Sequence, residues 1–234
     1  MDALTQTIRT DGFAFVHAAA MRAALEAHGT LTDWEAFAAS WDDLGQDTYM
    51  ADGGRYRKRR HAVFQLTGNA AQRLPDQPHY QSRDYNQLNG GIERWFRPVL
   101  LPIASGPTMG AILRFCSDLF GALMPARSWF VEMHQFRIEA RTGEAARPTP
   151  EGMHRDGVDH VLVLLIARKN VRSGVTSVHD LNGRMLGSFT LTEPCDAALV
   201  EDRRVMHGVT PVEPVDPTSV GFRDVLVVTF KRAD

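Results

Sequence analysis

A chain of 234 residues with 44% apolar residues can bury a full core, and its formal net charge of -2 excludes a general polyanion binder. Two cysteines, Cys116 and Cys195, exclude a disulfide framework and favour a reducing, cytoplasmic setting. The opening MDALTQTIRTDGFAF lacks a basic region followed by an apolar one, and no apolar run reaches the about 18 to 20 residues that span a bilayer, so a soluble protein without a leader and without a membrane partner is expected.

The first third reads as helix. VHAAAMRAALEAHG (16–29) is rich in alanine and leucine and stops at Gly29, a residue favoured just past a helix end. In TDWEAFAASWDDL, Thr32 and Glu35 have capping-box spacing, and Trp34, Phe37, Ala38 and Trp41 form one apolar stripe that reads as packing surface. RYRKRR (Arg55–Arg60) places five basic residues in six positions and runs into the strand-like HAVFQL. The expectation is an exposed basic strand near an active-site mouth, with nucleic-acid contact as the disfavoured alternative. Residues 67–98 include PDQPHYQSRDYNQLNGG and read as a long irregular segment of the lid or binding-loop kind. A third helix is expected over about 106–120, with Ser105 as N-cap and Pro107 in its first turn.

After Pro125 the pattern changes to about eight short strands: SWFVEMHQFRIEA, MHRDGV, HVLVLLIAR, GVTSVHDL, RMLGSFTL, AALVE, VMHGVTPV and FRDVLVVTFKR. Turn-formers such as RTGEAARPTP and EPVDPTSVG separate them. The fold class is therefore mainly β with a helical N-terminal layer, a sandwich or jelly-roll barrel. We expect one domain over 1–234, with the helical layer and lid-like segment in 1–125 and the jelly-roll core in 126–234.

Chemistry concentrates in the second half. His154 and Asp156 stand two apart in MHRDGV, so a strand there projects both side chains from one face. His207, 53 residues on in a second strand-like segment, offers a third donor. Two imidazoles and a carboxylate with open positions beside them are the facial triad of non-haem iron(II) oxygenases, although zinc accepts the same donors. Arg223, sixteen residues after His207, starts the last strand among apolar neighbours. A buried guanidinium there suits the far carboxylate of 2-oxoglutarate, because its planar fork gives two parallel hydrogen bonds and keeps its charge when desolvated. A structural ion pair with Asp224 or Glu132 is the alternative.

Through HQFR, HRDG, SFTLTEP, VMHGVTPV and FRDVLVVTF, residues 128–231 resemble the bacterial iron(II)- and 2-oxoglutarate-dependent dioxygenases of the L-isoleucine 4-hydroxylase type, which hydroxylate free amino acids. A weaker likeness covers QSRDYNQLNGG. The resemblance implies a double-stranded β-helix, iron ligands His154, Asp156 and His207, Arg223 as the 2-oxoglutarate anchor, and dioxygen as the other cosubstrate. The chain departs from the expected pattern at SGVTSVHD and at Ile138, both expected to touch pocket walls. Tyr85, Asn86 and His134 are candidates for gripping the amino acid substrate, whereas His160 and His179 read as structural. A zinc hydrolase or binding module, and a dioxygenase of macromolecules, are the competing functions. No oligomeric state is assigned.

Overall fold

The structure, a computed structural model, describes residues 1–68, 70–144 and 146–233. In chain order its elements are α1 (Asp2–Asp11), β1 (Phe13–Val16), α2 (Ala18–Glu26), α3 (Trp34–Ala39), a 3-10 turn (Ser40–Asp43), β2 (Gly45–Gln46), β3 (Arg57–Thr67), β4 (Ala70–Arg73), β5 (His79–Tyr80), β6 (Glu93–Arg94), α4 (Leu101–Ala104) and α5 (Pro107–Leu123). Then follow β7 (Ser128–Ala140), β8 (His160–Lys169), β9 (Val171–Ser173), β10 (Thr176–Asp180), β11 (Met185–Phe189), β12 (Ala197–Glu201), β13 (Val205–Val209), β14 (Val212–Pro214) and β15 (Gly221–Arg232).

Two sheets face each other. The larger has the order β1-β12-β8-β15-β7-β3-β2, with β4 paired to β3, and the smaller has the order β11-β10-β13. Every pairing is antiparallel, and strands far apart in sequence lie side by side, as in β15 between β7 and β8. This is the jelly roll expected from the strand spacing, closed at one end by the short pair β9 and β14.

The period of two along β15 explains the layering. Leu226, Val228 and Phe230 point into the cluster that includes Ile8, Met21, Phe37, Phe115 and Phe120 of the helices. Val225 and Val227 point the other way, into the space between the sheets. The helices thus cover one face of the large sheet and leave its other face for the site. Trp41 joins the layers, its indole N–H donating to the carbonyls of Phe136 at 3.1 Å and Val225 at 3.3 Å.

Several local expectations are corrected. The chain begins with an unforeseen helix and a strand, β1, that extends the large sheet at its edge. The Thr32 and Glu35 capping box does not form: the N-cap of α3 is Asp33, which instead accepts from the Thr108 backbone N–H at 2.8 Å and hydroxyl at 2.5 Å. The N-cap of α5 is Gly106, one residue beyond Ser105. The basic run is not an exposed strand, because β3 lies inside the sheet and buries Arg57, Arg59 and Arg60. Arg57 meets Asp47 at 2.8 Å and Arg60 meets Asp43 at 2.7 Å, so the charges are neutralised within the fold rather than offered to a polyanion. Among the described residues no helix is long and apolar enough to cross a membrane.

Candidate metal centre and adjoining cavities

MHRDGV is not a strand. The backbone of His154 makes an isolated bridge to His207 of β13, and the following residues form a tight turn. Gly157 supplies that turn with φ 82°, and a Cβ there would lie 2.6 Å from the Tyr85 ring, so both conformation and space require glycine. The buried Asp202 carboxylate fixes the turn by accepting the backbone N–H groups of Asp156 and Gly157 at 2.8 Å each and of Val158 at 3.1 Å. The Gln81 side-chain amide donates to the Asp156 carbonyl at 3.0 Å. Two side chains that strand alternation was expected to align are aligned instead by a turn and its acid cap.

The three donors converge. One ligand atom from each of His154, Asp156 and His207 lies within 4.8 Å of the others. The His154 Nε2 is 3.4 Å from one Asp156 oxygen and the His207 Nε2 is 3.8 Å from the other. The His154 Nδ1–H donates to the Gly152 carbonyl at 3.0 Å, which turns Nε2 toward the cluster, where a metal would replace its proton. Burial pushes the His207 imidazole down to about 4, assisted by the neighbouring His154 charge. Burial acts on His154 in the same sense, but the hydrogen bond and charge of Asp156 reverse it and hold that imidazole up at about 9. Burial would raise the Asp156 carboxyl, yet the two histidines hold it at about 2. At neutral pH the cluster carries the Asp156 carboxylate, a His154 imidazolium and a neutral His207 imidazole, and a divalent cation would displace the proton His154 shares with Asp156.

Two cavities meet at this cluster. The smaller, about 120 Å³, lies between the sheets and runs from the three donors to Arg223, past Thr176, Ile138, Val163 and Val225. Arg223 is 2% exposed, and its Nε and Nη2 have no hydrogen-bond partner. Burial, reinforced by Arg168, pushes its guanidinium down to about 10. The structural ion pair is not formed: Asp224 is taken by Arg137 at 2.7 Å, and Glu132 by His61 and His79. A charge left unpaired in a closed apolar space is costly unless an anion completes it. Three donors at one end and an orphaned guanidinium at the other fit iron with a dicarboxylate between them. Ile138, and Thr176 within SGVTSVHD, line this space, as expected of pocket-wall residues.

The larger cavity, about 490 Å³, opens on the other side of Asp156. Tyr85, Asn86 and His134 all line it, although each already has partners. Asn86 donates to Gln81 at 3.1 Å and accepts the Asn89 N–H at 2.7 Å, His134 Nδ1 meets Arg59 at 2.7 Å, and Tyr85 packs on Gly157 with Arg155 stacked 5.2 Å from its ring centre. His160 stacks on Phe120 at 4.7 Å, away from both cavities. The His179 Nδ1–H donates locally, to the Gly183 carbonyl at 3.0 Å.

A second cluster beside the larger cavity, His61, His79, Glu132 and His134, has no spacing signature in the sequence. His61 at 2.9 Å and His79 at 2.8 Å contact the same Glu132 oxygen. Burial would raise the Glu132 carboxyl, but His79 and His61 hold it well below the usual carboxylate range. It is therefore an anion already satisfied by two ring N–H groups. Asp202, Arg94 and Glu151 were also unforeseen, since no spacing ties them to the HxD pair. The register of β3 on β7 sets His61 beside His134, two residues along β7 from Glu132, and β5 brings in His79.

Comparison with known proteins agrees with this geometry. Residues 38–229 match the family described as 2OG-Fe dioxygenase. The chain is 27% identical over 156 residues to L-isoleucine-4-hydroxylase of Bacillus thuringiensis, a match covering 65% of this chain and 64% of that one. It is 25% identical over 158 residues to 3(1)-hydroxy-L-isoleucine 4-dioxygenase of Pantoea ananatis, covering 66% and 64%. These matches span less than two thirds of the length of either curated relative. The crystal structure of a bsmA homolog from Methylobium petroleophilum PM1 is 37% identical and superposes with a TM-score of 0.89, covering 99% of this chain and 93% of that one.

Proposed function

Because this chain belongs to the 2OG-Fe dioxygenases, whose reactions use iron(II), 2-oxoglutarate and dioxygen, we propose that it hydroxylates an unactivated C–H bond of a free L-amino acid with an aliphatic or similarly small side chain. The observation that carries the reading is the alignment of His154, Asp156 and His207 with the unpartnered Arg223 across one closed cavity. The family match favours iron over zinc at these donors, and a nucleic-acid substrate finds no open basic strand, because Arg57, Arg59 and Arg60 are buried.

In this assignment His154, Asp156 and His207 hold iron, and Arg223 takes the far carboxylate of 2-oxoglutarate. When bound, iron with 2-oxoglutarate and dioxygen supplies the oxidising power that breaks the C–H bond, releasing succinate and carbon dioxide. The protein's part is placement. Asp202 holds the turn that presents Asp156, the bridge between His154 and His207 fixes the two imidazoles, and Val163, Val225 and Val227 exclude water from the cosubstrate. Tyr85, Asn86 and His134 shape the wall and floor of the larger cavity, where the amino acid sits beside Asp156.

Residues 1–234 act as one unit in this reading, supported by the shared core of the N-terminal helices and the large sheet. Cys116 and Cys195, both free and buried, support a reducing cytoplasmic location. The test is to incubate the pure protein with iron(II), ascorbate, 2-oxoglutarate and each free L-amino acid. Succinate release with a mass gain of one oxygen in the amino acid is expected, and 2-oxoglutarate turnover with none of them would overturn the reading.

A further inference from the structure

Arg94 sits on β6, which pairs with β5 so that the two-strand hairpin delivers Arg94 and His79 to the larger cavity. It is 2% exposed, and its Nε and Nη2 are buried without a hydrogen-bond partner. The neighbouring arginines Arg57 and Arg59 have a counter-charge, because both meet Asp47 and Arg59 also meets His134, which leaves only the Arg59 Nε without a hydrogen bond among the described residues. Glu132, the nearest floor carboxylate, is engaged by His61 and His79. Arg94 forms no ion pair among the described residues, so its buried side chain presents a planar donor fork to the cavity, the arrangement that takes up a carboxylate in two parallel bonds.

The opposite charge is present in the same cavity. Glu151 is largely buried, and its Oε2 has no hydrogen-bond partner, while its Oε1 is 3.5 Å from the His154 Nε2. Glu151 lines both cavities, at the point where the larger one meets the three metal donors. An unsatisfied buried acceptor and an unsatisfied buried donor fork in one cavity each cost the free protein stability that a ligand of complementary charge would restore. A free α-amino acid carries both charges on one carbon. Phe130, Phe136, Val158 and Val227 supply apolar walls for the rest of it.

We infer that Arg94 and Glu151 form a zwitterion clamp, Arg94 receiving the substrate α-carboxylate and Glu151 its α-ammonium, so that the cavity admits free α-amino acids and rejects their amides, N-acyl derivatives and peptide-linked forms. The inference rests on the amino acid reading proposed above. It adds the residues that set the substrate class.

The L-amino acid giving most succinate is compared with its α-carboxamide and its N-acetyl derivative, by turnover and by anaerobic calorimetry on iron(II)- and 2-oxoglutarate-loaded protein. Losing one charge-assisted bidentate contact corresponds to about 10- to 150-fold in affinity. The unmodified protein is expected to prefer the acid to the amide by that factor. In Arg94→Gln the preference collapses toward one, because acid binding falls and amide binding does not, and the KM for 2-oxoglutarate moves far less than that for the amino acid. If Arg94→Gln fails to fold, Arg94→Lys carries the test, with an intermediate preference expected from a charge without a fork. Glu151→Gln, taken at matched iron content, is expected to abolish the preference for the free amine over the N-acetyl derivative. If amino acids bind and are oxidised but both preferences survive in the variants, the clamp is wrong and the hydroxylase reading stands. Binding of no amino acid by the unmodified protein would sink both.

Discussion

His154 and His207 exchange both of their backbone hydrogen bonds, at 3.0 Å and 2.9 Å, although 53 residues separate them. The exchange sets their ring centres 4.6 Å apart, so the spacing of the two imidazoles is fixed by main chain rather than by rotamer choice. The third donor has no such tie to β13, and its position depends on Asp202 gathering the N–H groups of the turn. Asp202→Ala, which removes no metal ligand, is expected to lower iron(II) affinity about 10- to 100-fold, as loss of an outer partner does at other metal sites. Titration of the stripped protein with iron(II) or cobalt(II) measures this, and an unchanged dissociation constant would show that the turn holds its shape without its cap.

Arg223 gives a paired expectation. Arg223→Lys keeps the charge and loses the fork, so the KM for 2-oxoglutarate should rise about 10- to 100-fold with a much smaller change for the amino acid. Arg223→Met removes an unpaired buried charge from an apolar wall. It should bind 2-oxoglutarate more weakly still, yet melt at a higher temperature than the unmodified protein when no 2-oxoglutarate is present. A lower melting temperature would mean that Arg223 has a structural partner after all.

The contrast between Arg223 and the RYRKRR run shows what the sequence could and could not convey. β7 was legible from its alternation, and β8, β12 and β15 from apolar runs sharply bounded by polar or turn residues, as strands buried on both faces show. Arg223 was legible as buried because its neighbours are apolar. Arg57, Arg59 and Arg60 looked exposed because the acids that neutralise them, Asp47 and Asp43, reach them only through the folded chain. The same reason hides Arg94 and Glu151, which line one cavity only once β5 and β6 pair in the folded chain. Phe13–Val16 was missed as a strand because four residues before an alanine-rich helix carry too little pattern, and only the β12 edge makes them extended.

Asp47 tests the arginine account. Its side chain is fully buried between Arg57 at 2.8 Å and Arg59 at 3.7 Å. Burial would raise its carboxyl, but the two guanidiniums hold it below the ordinary range. Asp47→Asn preserves shape and removes the charge, leaving two buried cations facing each other, at a cost of about 3 to 5 kcal/mol. Urea unfolding at neutral pH measures the loss, and a change under about 1 kcal/mol would mean that His134 and the stacked Phe96 and Phe136 rings suffice to hold Arg59.

His160 gives the chain a defined acid limb. Its ring is sandwiched against Phe120 and beside Trp129, and neither nitrogen has a hydrogen-bond partner. Burial pushes its pKa down to about 4, with Asp159 opposing and Arg203 assisting. The unfolded chain therefore takes up a proton near pH 6.5, and the folded chain resists until pH 4. The unfolded state binds the extra proton in this window, so stability falls as pH drops from about 6.5 to about 4 and levels off below, by at most about 3 kcal/mol from this group. His160→Phe, which keeps the stacking and cannot titrate, is expected to flatten that part of the stability curve relative to the unmodified protein. Denaturant midpoints at pH 7.5, 6, 5 and 4 make the comparison. Parallel curves for the two proteins would place the acid sensitivity in other groups.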